Sequence, residues 1–237
     1  TAARYNAWNN NTWLMYFGNH KVADNFGLYI EAQIRRNDIL KNWQQLLLRT
    51  GIEYYMPSAR LTLGYGFIET YGYGEFPVAN AFPEHRIWQQ ALLSNPIGAF
   101  KLTHRYRLEQ RFIGSSATGQ FANGRYENRF RYMLRINRAL KGSEIERGKF
   151  YFSLYNEIFV NFGKEVGYNL FDQNRAYGAI GYHLGKIGRV ELGYMYQLLQ
   201  QRKLLLSNSP ALNIIENNHT LQVSLVNDLP FYKKRGD

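Results

Sequence analysis

The sequence predicts an all-β protein, a transmembrane antiparallel up-and-down β-barrel of ten to twelve strands, from three observations. Along residues 125–136, apolar side chains occupy most even positions and charged side chains most odd positions, and residues 99–113 repeat this alternation. Both segments exceed the roughly 5 or 6 residues of an average strand and suit the about 9–11 residues of a tilted strand that crosses a bilayer. Composition agrees, because 19 Tyr, 15 Phe and only 6 Pro favour strands with aromatic girdles.

Eleven candidate strands follow one another along the chain. In the second, Phe26, Leu28 and Ile30 face one way, whereas Tyr29 and Glu31 face the other. The other strands are predicted from the same period of two. Their bounds are 8–17, 25–36, 43–56, 60–71, 85–94, 99–113, 122–137, 149–162, 173–184, 189–200 and 218–227.

The connections alternate between short and long. Outer-membrane barrels have short periplasmic turns and long external loops, so the two sets are predicted on opposite sides of a membrane. Bacterial barrels also have an even number of strands. Either a further strand precedes the first, giving the favoured count of twelve, or residues 1–18 do not span and ten remain. The short connections are 57–59, 95–98 and 185–188, with 138–148 on their side, and the long ones are 72–84, 114–121, 163–172 and 201–217.

One barrel domain is predicted over residues 1–237, with a segment 1–10 and a basic tail 228–237 outside the wall. An exported protein needs a signal peptide, so residue 1 is expected at or after a cleavage point.

Zero cysteines exclude disulfides and thiol catalysis. The net charge of +11 is spread over alternating strand positions, which argues against a nucleic-acid partner.

Within each predicted strand, whether a position is odd or even (its parity) decides which face the side chain occupies. On this basis the barrel interior is predicted to hold fourteen basic and six acidic side chains, an excess of eight positive charges. One interpretation is a ladder in which guanidinium groups bind carboxylates across strands and fill a small barrel. The other is an electropositive conduit for acidic solutes; the first is preferred. The predicted network is Arg49, Glu53, Arg105, Arg107, Glu109, Arg111, Arg125, Glu127, Arg129, Arg131, Glu157 and Arg175, and the remaining inward residues are Arg35, Arg60, Arg86, Lys101, Arg135, Arg189, Glu31 and Glu191.

A lipid-hydrolysing enzyme is an alternative class. It would need a serine and a histidine within hydrogen-bond reach on the lipid-facing wall. His104 and His219 have outward parity, but Ser153 and Ser224 have inward parity, so no catalytic residue is predicted. The five histidines show no metal-ligand spacing, and no metal or cofactor is predicted.

A soluble barrel would give the same alternation of apolar and polar side chains. Strand length, outward aromatic residues and the asymmetry of the loops favour a membrane barrel instead.

Seven stretches together resemble the domain-of-unknown-function family 2490, whose members are predicted outer-membrane barrels of certain Gram-negative bacteria. The resemblance covers nearly the whole chain and implies fold and location, but no activity, substrate or catalytic residue. Such barrels often end on an aromatic residue, a role that Phe231 or Tyr232 would take here. The stretches are 84–90, 104–112, 128–132, 155–159, 171–175, 192–195 and 218–221.

The resemblance implies surroundings of outer-membrane lipid and lipopolysaccharide, with other outer-membrane proteins as partners. The expected function is that of a structural or accessory subunit of an outer-membrane assembly with a filled, basic lumen. A narrow, porin-like, anion-preferring channel is the alternative, and a lipid-modifying enzyme is a distant one.

Overall fold

A computed structural model describes residues 4–206 and 211–231, which form eleven strands in one closed barrel. The described helical structure is one short 3-10 turn at Gly185–Ile187, and no described helix is long and apolar enough to span a membrane. The strands are β1 Arg4–Lys21, β2 Phe26–Asn37, β3 Asn42–Tyr55, β4 Ala59–Thr70, β5 Phe82–Ile97, β6 Phe100–Ser115, β7 Gln120–Ala139, β8 Phe150–Phe162, β9 Phe171–His183, β10 Arg189–Leu205 and β11 Leu212–Asn227.

The barrel closes through a parallel pair. Consecutive strands are antiparallel, whereas β1 and β11 run parallel from Arg4 opposite Asn213 to Gly18 opposite Asn227. A meander alternates in direction, so the first and last of an odd number of strands must point the same way. The predicted all-β barrel of ten to twelve strands is confirmed, with eleven strands in the described residues. The favoured count is one too high, and the closure is not wholly antiparallel.

The N-terminal segment belongs to the wall, contrary to the prediction for residues 1–10. From Arg4 onward the chain pairs with β11, because the edge of the last strand is otherwise left without hydrogen-bond partners. At the other terminus the chain leaves the wall after Asn227, and Phe231 stacks on His20 with ring centroids 4.1 Å apart. Residues 1–3 and the tail from Tyr232 onward lie outside the described residues.

The end of the barrel where β1 begins is called the upper end, and the opposite end the lower end. Two predicted long connections are partly strand in the structure: half of 114–121, and residues 201–205 and 212–217 of 201–217. The contrast in length between the connections of the two ends is therefore weaker than predicted. The upper connections are 38–41, 71–81, 116–119, 163–170 and 206–211, and the lower ones are 22–25, 56–58, 98–99, 140–149 and 184–188.

The barrel buries its polar face and exposes its apolar face. On β6, Arg107 and Glu109 are buried, whereas Tyr106 and Phe112 are exposed. This is the reverse of a soluble barrel, in which the apolar face would fill the interior. The main apolar cluster inside consists of Trp13, Met15, Tyr177 and Met195.

Candidate functional site

Glu109 of β6 is the centre of the buried ion network. Its carboxylate is fully buried and accepts hydrogen bonds from Arg129 Nε at 2.8 Å and from Arg131 Nη1 at 2.7 Å. One carboxylate is thus surrounded by five guanidinium groups, which partly share its negative charge. The three more distant ones approach at 3.6, 3.9 and 3.9 Å and belong to Arg49, Arg86 and Arg107.

Arg131 and Arg49 extend the network around the wall. Arg131 Nη2 lies 2.8 Å from Glu157 Oε1 on β8, which also accepts a hydrogen bond from Arg105 at 2.7 Å. Arg49 Nη1 donates to Glu31 Oε1 on β2 at 2.8 Å. Arg105 of β6 and Glu157 of β8 lie on strands that are not neighbours, as do Arg49 of β3 and Glu109 of β6, so the network connects the wall across the interior as well as along it.

A second group of ion pairs lies toward the upper end. Arg111 Nε donates to Glu84 Oε1 at 2.7 Å, and Arg111 Nη1 lies 3.5 Å from Glu127. Glu127 also accepts a hydrogen bond from Arg125 at 2.8 Å and from Arg202 of β10. The network therefore continues to the rim through bidentate and shared contacts, the strongest geometry for guanidinium and carboxylate groups.

Ten of the twelve residues predicted for the network lie in this connected set. Glu53 lies apart, near the lower end, and its partner is Arg60 Nε at 3.2 Å. Arg175 is inside the barrel but makes no ion pair with a described carboxylate; its Nε donates to Gln173 Oε1 at 3.0 Å. The ten connected residues are Arg49, Arg105, Arg107, Glu109, Arg111, Arg125, Glu127, Arg129, Arg131 and Glu157.

Sequence parity missed three buried acidic residues, which reduce the basic excess from eight to five. Glu84 and Glu216 were missed because their predicted strands began too late, at residues 85 and 218; extending the alternation would have found both. Asp172 has outward parity by simple alternation. It turns inward at a register shift between β8 and β9, where its Oδ2 accepts a hydrogen bond from Arg129 Nη1 at 2.8 Å.

Facing the arginines, β1, β10 and β11 present mostly neutral side chains. Asn9 Nδ2 donates to Asn218 Oδ1 at 2.9 Å across the parallel closure, and Trp13 Nε1 donates to Gln44 Oε1 at 2.8 Å. A cavity of about 190 Å³ lies between the two sides. Its lining includes three carboxylates, from Glu31, Glu157 and Asp172, and ten guanidinium groups, from Arg35, Arg49, Arg86, Arg105, Arg107, Arg111, Arg129, Arg131, Arg135 and Arg175.

The connection 71–81 crosses the upper mouth. Tyr73 reaches the cavity, and its hydroxyl donates to Glu216 Oε2 on β11 at 2.9 Å; burial, reinforced by this carboxylate, raises the pKa of Tyr73 well above its ordinary value. Glu75 accepts a hydrogen bond from the Tyr5 hydroxyl at 2.5 Å. This loop and the contact between Arg202 and Glu127 narrow the mouth from two sides.

On the outer face, polar side chains are paired with one another. The amides of Gln89 and Gln110 exchange hydrogen bonds at 3.1 and 3.2 Å. The amides of Asn156 and Asn174 do the same at 3.1 and 3.0 Å. The polar atoms of these four amides are therefore satisfied by protein partners on the apolar side of the wall.

The outward histidines follow the same rule. A hydrogen bond of 2.9 Å joins His104 Nδ1 to the Tyr132 hydroxyl, and one of 2.6 Å joins His219 Nδ1 to the Tyr194 hydroxyl. Ser153 and Ser224 are buried inside the barrel. The serine and histidine side chains considered for lipid hydrolysis thus lie on opposite sides of the wall.

The fold and the site define a class: a closed β-barrel with an apolar outer wall and an ion-paired interior. Within that class, residues 10–204 match the family described as Protein of unknown function (DUF2490), and the chain belongs to this family. The family predicted from the sequence motifs is thereby confirmed. The comparisons with curated proteins and with solved structures give no match.

Proposed function

We propose that the protein is an integral barrel of the outer membrane of a Gram-negative bacterium. The observation that carries the proposal is the outer face, which is apolar around the ring. Leu48 of β3, Leu63 of β4 and Leu192 of β10 are 45%, 58% and 57% exposed. A continuous apolar surface of this kind is unfavourable in water and stable against lipid.

Aromatic residues near both ends of the strands support the same location. On β6, Phe100 lies near the lower end and Phe112 near the upper end. At about 3.3 Å per residue and a tilt of roughly 40°, they differ in height by about 30 Å, close to the about 25 Å apolar band of outer-membrane barrels. Neighbouring pairs at these levels are Phe26 with Tyr54 and Phe150 with Tyr182 below, and Trp43 with Tyr71 and Phe112 with Tyr126 above.

Within that membrane we propose a structural or accessory role in a larger assembly, in contact with lipopolysaccharide and with other outer-membrane proteins. The support is an interior occupied by cross-linked ion pairs, which leaves little room for transport. We propose no catalytic role, because Ser153 and Ser224 are separated from His104 and His219 by the barrel wall.

A narrow anion-preferring channel is the second candidate. The observation that favours it is the cavity lining, in which guanidinium groups outnumber carboxylates by ten to three. Basic rings attract anions and exclude cations. The connection 71–81 lies across the path at the upper end, so this candidate requires that loop to move.

Replacing Leu48 by Arg tests the membrane location. On β3, Leu48 lies midway between Trp43 and Tyr54, so the charge would face the middle of the bilayer. An arginine there costs about 2–4 kcal/mol in a membrane barrel. We expect a lower folded fraction in lipid vesicles, measured by the mobility difference between boiled and unboiled samples and by circular dichroism.

Leu206→Arg is the matched control, because Leu206 is exposed but lies in the connection between β10 and β11. It should fold like the unchanged protein. A soluble barrel would tolerate both substitutions equally. Equal folding of the two variants, or good solubility of the protein without detergent, would refute the membrane proposal.

A further inference from the structure

Two buried guanidinium groups inside the barrel have no carboxylate partner among the described residues. Arg35 Nε donates to Gln33 Oε1 at 2.9 Å, and Arg175 Nε donates to Gln173 Oε1 at 3.0 Å. Both groups lie against Trp13, with guanidinium carbons 3.8 and 5.0 Å from the ring centroid. Two positive charges are therefore held close together by a neutral indole and neutral amides.

A third guanidinium group, that of Arg107, is also short of acceptors. Arg107 is 1% exposed; its Nε and Nη2 share Gln90 Oε1, while its Nη1 has no hydrogen-bond partner and lies 3.9 Å from Glu109. Arg35, Arg107 and Arg175 line the same cavity of about 190 Å³. Since arginine stays protonated in proteins, its buried charge must be compensated by an acceptor or an anion.

We propose that this cavity binds a small oxyanion of the phosphate or sulfate class, held by Arg35 and Arg175. Such ions offer several acceptor oxygens that match the donors of guanidinium groups. A water molecule occupies about 30 Å³ in the liquid, so the cavity has room for an ion of a few heavy atoms with some water. The unbroken wall separates the cavity from lipid, so the ion would come from solution and not from a lipid headgroup.

The bound ion would balance part of the basic excess inside the barrel. This inference goes beyond the proposed function and does not rest on it. An ion held in a closed barrel would stabilise the interior whether the barrel conducts or not, and the binding can be measured on the intact chain in detergent.

Inorganic phosphate is the probe. The purified chain is titrated with phosphate at constant ionic strength, with chloride as the balancing anion, and the unfolding temperature is followed. A ligand that binds only the folded state raises this temperature in a saturable way. We expect such a rise with phosphate and sulfate and none with chloride. Isothermal titration should give about one phosphate per chain.

Arg35→Gln and Arg175→Gln should each remove the phosphate-dependent rise. Because each removes a buried charge without a carboxylate partner, both variants should fold, with unfolding temperatures in chloride alone at least equal to that of the unchanged chain. Arg189→Gln is the control: it makes the same change in charge, but Arg189 pairs with Asp228 at 2.8 Å at the lower end and does not line the cavity. Its phosphate-dependent rise should be unchanged.

Two results would overturn the inference. One is an unfolding temperature that depends on ionic strength alone. The other is a full phosphate-dependent rise in both Arg35→Gln and Arg175→Gln. Should neither variant fold, the titration of the unchanged chain decides: about one bound phosphate supports the site, and no heat of binding refutes it.

Discussion

At the scale of the residue, Glu109 holds the interior together. Five guanidinium groups approach its fully buried carboxylate, two of them by direct hydrogen bonds. Transfer of so many charges out of water is costly, and the cost is offset only while the carboxylate is present. The stabilising effect of Glu109 therefore lies less in any single pair than in keeping several buried cations compensated at once.

Glu109→Ala should strongly destabilise the barrel. Removing one partner of a buried ion pair costs on the order of 3–5 kcal/mol, because the remaining charge stays buried without compensation. The measurement is the urea or thermal unfolding midpoint in detergent. Glu146→Ala is the control, because Glu146 is exposed and pairs with Lys149 in the connection 140–149. Equal midpoints for the two variants would show that the ion network contributes nothing to stability.

At the scale of the element, the pairing of β1 with β11 distinguishes this barrel from an even-numbered one. Its ladder is parallel, and parallel pairs are slightly less stable per residue than antiparallel ones. Side chains reinforce it on both faces of the wall: Asn9 donates to Asn218 at 2.9 Å inside, and Asn217 donates to Asn6 at 3.3 Å on the outer face. Because these amides are neutral and uniform, the closing strands lack the charged alternation that marks β6 and β7.

An engineered disulfide would establish the parallel register. Leu14 of β1 lies directly opposite Val223 of β11, and residues so placed have Cα separations that a disulfide can bridge. The chain has no cysteine of its own. Leu14→Cys combined with Val223→Cys should therefore form one intramolecular crosslink on oxidation, detected by gel mobility without reductant and by mass spectrometry.

The matched control combines Leu14→Cys with Leu192→Cys. Leu192 pairs with Val223 from the far side, on β10, so it lies one strand too distant from Leu14. No crosslink should form in this pair. Efficient crosslinking of Leu14 to Leu192, or none to Val223, would contradict the closure.

At the scale of the whole molecule, the barrel combines an apolar exterior with a basic and largely filled interior. Barrels of this strand number are narrower than the 16–18-stranded porins that leave a broad aqueous channel. Long arginine side chains occupy the middle, and the connection 71–81 lies over the upper mouth through Tyr73 and Glu75. These features together favour a closed pore.

We expect little steady conductance in planar bilayers, and any current should favour anions. Lys101→Glu should shift the reversal potential toward cations, because Lys101 is exposed near the start of β6, at the lower end, where its charge would act on entering ions. Lys141→Glu, in the connection 140–149, makes the same charge change and should have a smaller effect. Large, stable, anion-selective openings would refute the proposal of a filled lumen and support the anion-preferring channel instead.

The sequence by itself determined the two faces of the wall. In a strand, the side on which a residue lies depends only on whether its position is odd or even, so the inward position of Glu109, Arg129 and Arg131 was readable locally. The predicted strands start too late where the alternation weakens: neutral amides are frequent in residues 4–10, and two adjacent apolar residues, Ile214 and Ile215, precede Glu216. Glu216 was missed for that reason.

The tertiary structure alone decided how those faces come together. Which arginine meets which carboxylate depends on register and on contacts across the interior, as between Arg49 and Glu109, and no local period encodes it. Asp172 turns inward through a shift in register, which alternation cannot predict. The parallel closure depends on the number of strands in the ring, and the unpaired charges of Arg35 and Arg175 depend on which side chains lie opposite them. Parity is a property of one strand, whereas pairing, closure and the cavity are properties of all eleven strands together.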